Sequence, residues 1–138
     1  MGQDRATFQQ LAEIRLAEAR ALHAEGLYSG AYYLAGYAIE CALKAKIAAD
    51  FRENEIPELK RVQSIYTHDL GALLSLAILK EDLDAEKELH PELYRRWGVA
   101  RAWSENARYI VWTEADTSAI LDAIDGADGI LQWLRNRW

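Results

Sequence analysis

The segment from Gly30 to Ala49 is apolar nearly all the way round a helix, and nothing else in the chain constrains the fold as strongly. A helix with no polar face belongs at the centre of a domain, covered on every side by other elements. Ser29 stands where an N-cap is expected. Ala31, Ala35, Ala38, Ala42 and Ala45 form a stripe of small residues along which a second helix could approach closely. Tyr33, Tyr37, Glu40 and Lys44 fall on another face, and Glu40 is the sole acidic residue between Tyr28 and Ala49. A carboxylate on such a helix must be paired or functional, because burying it alone is costly. Lys44, one turn on, and Arg15 are its candidate partners. Two readings stay open, a structural ion pair and a functional acid.

The remaining periodicity predicts helices around this one. The first runs from Ala6 to Glu25 and stops at Gly26, with Phe8, Leu11, Ala12, Leu16, Ala19 and Leu22 on one face. Arg15 projects from the same face and either snorkels to water or meets a buried carboxylate. Residues Asp50 to Thr67, charged and containing Pro57, read as a connection. A third helix starts at Thr67 with Leu70, Leu73, Leu74 and Ala77 inward, followed by an acidic stretch from Glu81 to Glu88. Pro91 fits the first turn of a fourth helix reaching Trp103. The last opens near Thr113, where Thr113 and Asp116 have capping-box spacing, and turns Ile120, Ala123, Ile124, Ala127, Ile130, Leu131 and Leu134 inward. With 138 residues, no repeats and no linker, the expectation is one domain over residues 1–138, an all-α up-and-down bundle of about five helices.

Composition narrows function by exclusion. A net charge of -6 argues against duplex-DNA binding through the overall field. The longest nearly uncharged run, Gly26 to Ile39, is too short and mixed to span a bilayer, so no membrane partner is expected. No signal peptide is evident and one cysteine forms no intramolecular disulfide, which makes a cytoplasmic location the default expectation. No two of His23, His68 and His90 lie at ligand spacing and Cys41 is alone in the apolar helix, so neither a metal nor another cofactor is expected. Chemistry concentrates between Tyr94 and Trp112. Arg95, Arg96, Arg101 and Arg108 stand there among Tyr94, Trp97, Trp103, Tyr109 and Trp112. Arginine beside aromatics suits a nucleotide or single-stranded RNA, yet the same residues build cores and dimer interfaces.

Three segments in order, GLYSGAYYLAGYAIECALKAKIA, YTHDLGALL and ENARY before the last helix, resemble the HEPN family (higher eukaryotes and prokaryotes nucleotide-binding domain). The resemblance runs from about Ala6 to Trp133. It implies a helical bundle that usually dimerises, and nucleotide- or RNA-linked functions, often in toxin–antitoxin pairs with a minimal nucleotidyltransferase as partner. Many members are metal-independent ribonucleases. Their motif is an arginine, four to six residues and a histidine, shortly before the last helix. Here that region runs from Arg101 to Arg108 and Tyr109, and an arginine stands in place of the histidine. Tyr109 directly follows that arginine, which takes it out of register with the family tyrosine that receives nucleotide modification. A literal match elsewhere, Arg61 and His68, is one that eleven arginines and three histidines would produce by chance.

The leading expectation is therefore a dimeric HEPN-like protein that binds a nucleotide, RNA or a nucleotidyltransferase partner without the usual Arg/His pair. Arg101, Arg108 and Tyr109 are its candidate binding residues. Glu40, Lys44 and Arg15 are the candidate buried charges. The alternatives are a ribonuclease toxin with a rearranged site, with His68 as the weak candidate for proton transfer, and a purely structural dimer.

Overall fold

A computed structural model describes residues 4–51 and 55–138. The chain forms eight α-helices and one 3₁₀ turn among these residues, with no strand. The helices are α1 (Arg5–Ala24), α2 (Tyr28–Ala49), α3 (Leu59–Ile65), α4 (Leu70–Leu76), α5 (Lys80–Leu89), α6 (Pro91–Arg101), α7 (Glu114–Ile124) and α8 (Ile130–Arg135); the 3₁₀ turn is Glu105–Tyr109.

The apolar α2 takes the central place its sequence demands. The five alanines of its stripe are wholly buried. Its main neighbour is α1, reached through a tight turn at Gly26, whose φ of 75° favours a residue without Cβ. The other sides of α2 are covered by α7, α4, the 3₁₀ turn and α8, while α5 and α6 pair beside α7.

Several boundaries differ from the sequence expectation, each for a local reason. Helix α2 begins at Tyr28, and Ser29 does not cap it; the Ser29 hydroxyl instead accepts the Trp112 backbone N–H at 2.9 Å. Helix α4 begins at Leu70 because Asp69, not Thr67, accepts the orphan Ala72 N–H at 2.8 Å. The connection from Asp50 to Thr67 contains α3, which has no buried residue and so leaves no amphipathic trace. The acidic stretch is itself a helix, α5, anchored by Leu83 alone. Helix α6 stops at Arg101, and Trp103 turns into the core. The last helix is two. Gly126, at φ 92°, breaks the chain between α7 and α8, and Arg20 pairs with the Asp125 carboxylate at the break. Ala127 is consequently exposed rather than inward. The capping box of Thr113 and Asp116 and the first-turn Pro91 stand where the spacing put them.

One strained position is invisible to pattern reading. Helix α4 ends in a Schellman motif, with Leu79 N–H on the Leu74 carbonyl at 3.2 Å and Ile78 N–H on that of Ser75 at 3.0 Å. The left-handed position at φ 59° is held by Ile78, a β-branched residue where glycine is usual. Its side chain is 68% exposed, so little burial offsets the strain. Ile78→Gly is expected to stabilise the fold by about 1 kcal/mol and raise the melting temperature by roughly 3 °C. An unchanged or lower melting temperature would contradict this.

Candidate functional site

The aromatic residues of the Arg-rich segment fix the site rather than form it. Gly36 presents no side chain, and a Cβ there would lie 2.2 Å from the Trp103 ring; the indole therefore rests flat on the backbone of α2. Trp112 stacks on Tyr32 with ring centroids 3.7 Å apart, and its Nε1 donates to the Ala107 carbonyl at 2.9 Å. The 3₁₀ turn is clamped to α2 between these two indoles. Trp97 and Trp103 are core residues, and the Trp103 Nε1 has no hydrogen-bond partner among the described residues.

The clamped turn faces the residues ahead of α4 across a concavity of about 320 Å³. Its walls include Thr67, His68 and Asp69 on one side, and Arg101, Ser104, Glu105 and Asn106 on the other. His68 lies between Thr67, which accepts the Asp69 N–H at 3.1 Å, and the capping Asp69. Its Nδ1 is 2.8 Å from Glu40 Oε1, and its Nε2 is 3.4 Å from Glu105 Oε2. The Glu40 side chain is 2% exposed and that of His68 41%. Lys44 completes the cluster at 3.4 Å from Glu40 Oε2, with 13% of its side chain exposed.

This resolves the partners of Glu40. Lys44 is one, as the helical spacing predicts. Arg15 is not; it pairs with Glu18 on its own helix. The second partner is His68, which no spacing argument connected with Glu40. With Nδ1 at hydrogen-bond distance from the carboxylate, the His68 ring holds one orientation, and Nε2 faces the concavity. The buried Glu40 charge acts on its neighbour too. Burial, then the Glu40 carboxylate, pushes the Cys41 thiol up to about 12, so it stays protonated and inert at ordinary pH.

Arg101 reaches the same concavity from the end of α6. Its guanidinium lies across Gly71, where a Cβ would stand 2.7 Å from Nε. Arg20, Arg95, Arg96 and Arg135 all have carboxylate partners, whereas Arg101 has none among the described residues. A guanidinium without a counter-ion in a concave wall suits an anionic ligand. Arg108 and Tyr109 are not brought in. Both are exposed, with Arg108 5.0 Å over the Tyr109 ring; the charge of the Tyr109 phenolic group, then its hydrogen bond, pushes the arginine pKa up. Arg61 is elsewhere as well, over Phe51 at 5.3 Å in a separate concavity. Among the described residues no group of three or more His, Cys, Asp or Glu side chains is placed to hold a metal ion. Nor is any helix there long and apolar enough to cross a membrane.

A family model described as "HEPN domain" matches residues 8–137, nearly the whole chain. No curated protein and no solved structure gives a significant match.

The ion cluster sets a stability expectation. Glu40→Ala strands Lys44 without its counter-charge in a largely buried place. The expected loss is about 3 kcal/mol, or a fall of roughly 10 °C in melting temperature. A melting temperature unchanged by the substitution would remove the structural role of Glu40.

Proposed function

Because the chain belongs to the HEPN domain family, we propose that it is an RNA- or nucleotide-directed protein that receives a phosphate group in the His68–Arg101 concavity. The supporting observation is that His68 Nε2 and Arg101, which has no carboxylate partner among the described residues, face one cavity although the chain separates them widely. The chemistry follows from their types. His68, oriented by Glu40, accepts the proton of a ribose 2′-hydroxyl or returns one to the leaving oxygen. Arg101 stabilises the negative charge that builds on phosphorus. Such a site is the rearranged ribonuclease, with the proton-transfer group contributed from the start of α4 instead of from the segment before α7. Arg108 and Tyr109, outside the cavity, serve as outer contacts for phosphate and base.

A second reading is favoured by one contact. Glu105 stands against His68 Nε2 where a substrate hydroxyl would sit. This supports a protein that binds a nucleotide, RNA or a minimal nucleotidyltransferase partner without cleaving, as in a toxin–antitoxin pair.

The two are separated by incubating labelled single-stranded RNA with the protein in EDTA. Cleavage that leaves 2′,3′-cyclic phosphate ends is expected, falling about 100-fold or more in His68→Ala. In Arg101→Ala with Arg108→Ala, RNA binding should weaken while the fold persists, since both arginines are exposed. Binding without cleavage by the unaltered protein would select the second reading, and no binding at all would defeat the ribonuclease reading and the RNA-binding form of the second.

A two-fold homodimer belongs to the same proposal, on altered grounds. The alanine stripe, Trp97 and Trp103 are consumed inside the chain. Among the large apolar residues left exposed, Tyr109, Ile110 and Val111 are consecutive, exposed by 76%, 48% and 91%. Consecutive exposed apolar residues of this size mark an interaction surface. Sedimentation at micromolar concentration is expected to show the dimer, and Val111→Asp to shift it toward monomer.

A further inference from the structure

The His68 ring stands between two carboxylates, and only one of them is part of the frame. Glu40 is buried in α2 and tied to Lys44, so it cannot leave. Glu105 is different: 44% of its side chain is exposed, and it sits at the start of a turn to which Ser104 gives no side-chain cap. The indoles of Trp103 and Trp112 hold the backbone of that turn to α2, but the Glu105 carboxylate itself makes no hydrogen bond to either wall among the described residues. Its carboxylate lies 3.4 Å from the nitrogen of His68 that faces the cavity, in the cavity that also contains Arg101. The concavity thus contains an anion of its own.

We propose that Glu105 is an intramolecular competitor, whose carboxylate occupies the phosphate position beside His68 and must be displaced before a phosphate group binds. This rests on the reading of the concavity as a phosphate site and adds its regulation. The physical ground is charge. A carboxylate and a phosphate oxygen make the same demand on His68, and two anions within contact distance repel. Glu105 therefore lowers the affinity for any phosphate that reaches His68. Swinging outward, it frees Nε2 without moving Glu40, Lys44 or the clamped turn. The remaining charges near the ring, Asp69 beside it in the chain and Arg101 opposite, stay where they are in both arrangements.

The test is an NMR titration of the His68 ring with inorganic phosphate. Glu105→Gln keeps the size of the side chain and is expected to tighten phosphate binding roughly fivefold, with Glu105→Ala behaving alike. Glu92→Gln removes the same charge at the opposite end of α6 from Arg101, and should leave the affinity as it is. Equal tightening by Glu92→Gln would show a general field effect and overturn the proposal. So would unchanged or weaker binding in Glu105→Gln, the latter because Glu105 would then be a ligand contact; the phosphate site itself survives both results. If phosphate leaves the His68 signals unmoved in every variant, the phosphate reading fails and the competitor falls with it.

Discussion

A carboxylate inside the most apolar helix of a protein has to be neutralised in place, and much of this structure is arranged to do that for Glu40. Glu40 is 1% exposed within α2, so water does not reach the group. Lys44 supplies a charge from the same helix, and His68 supplies a hydrogen-bonding nitrogen from the start of α4. The second contact ties a short helix to the centre of the bundle. It also fixes the ring whose other nitrogen faces the cavity. Stability and the proposed chemistry thereby depend on one buried group.

The opposite wall is set by steric fit rather than charge. Trp103 reaches the α2 backbone at Gly36, and Trp112 stacks on Tyr32, so the intervening turn has little freedom at either end. That turn brings Glu105 to His68, while Arg101 enters from the last residue of α6. Two walls made by different physics, one ionic and one aromatic, meet across a small concavity. Arg108 and Tyr109 do not line the concavity and present an exposed cation and ring instead.

The parts of this arrangement were unequally legible. The all-α class, the central helix, its pairing of Glu40 with Lys44 and the capping box at Thr113 all depend on residues within four positions of one another. Local spacing therefore contained them. The undercount of helices came from α3 and α5, which bury almost nothing and so lack an apolar rhythm, and from the α7–α8 break, across which that rhythm continues. The strained Ile78 left no signal, because no glycine stands at that turn.

Sequence alone determined that this chain is helical, that one helix is central, that Glu40 needs a partner, and, by the ordered segments it shares with HEPN domains, which family it belongs to. Only tertiary structure decided who that second partner is. His68 and Arg101 were each visible as residues, the first as a capping neighbour and the second as one arginine among several. No periodicity links them, since their meeting depends on how α4 docks on α2 and α6 on α7. Docking is set by packing between distant segments, such as the indole of Trp103 against the bare backbone of Gly36. A contact of that kind has no spacing to be read from.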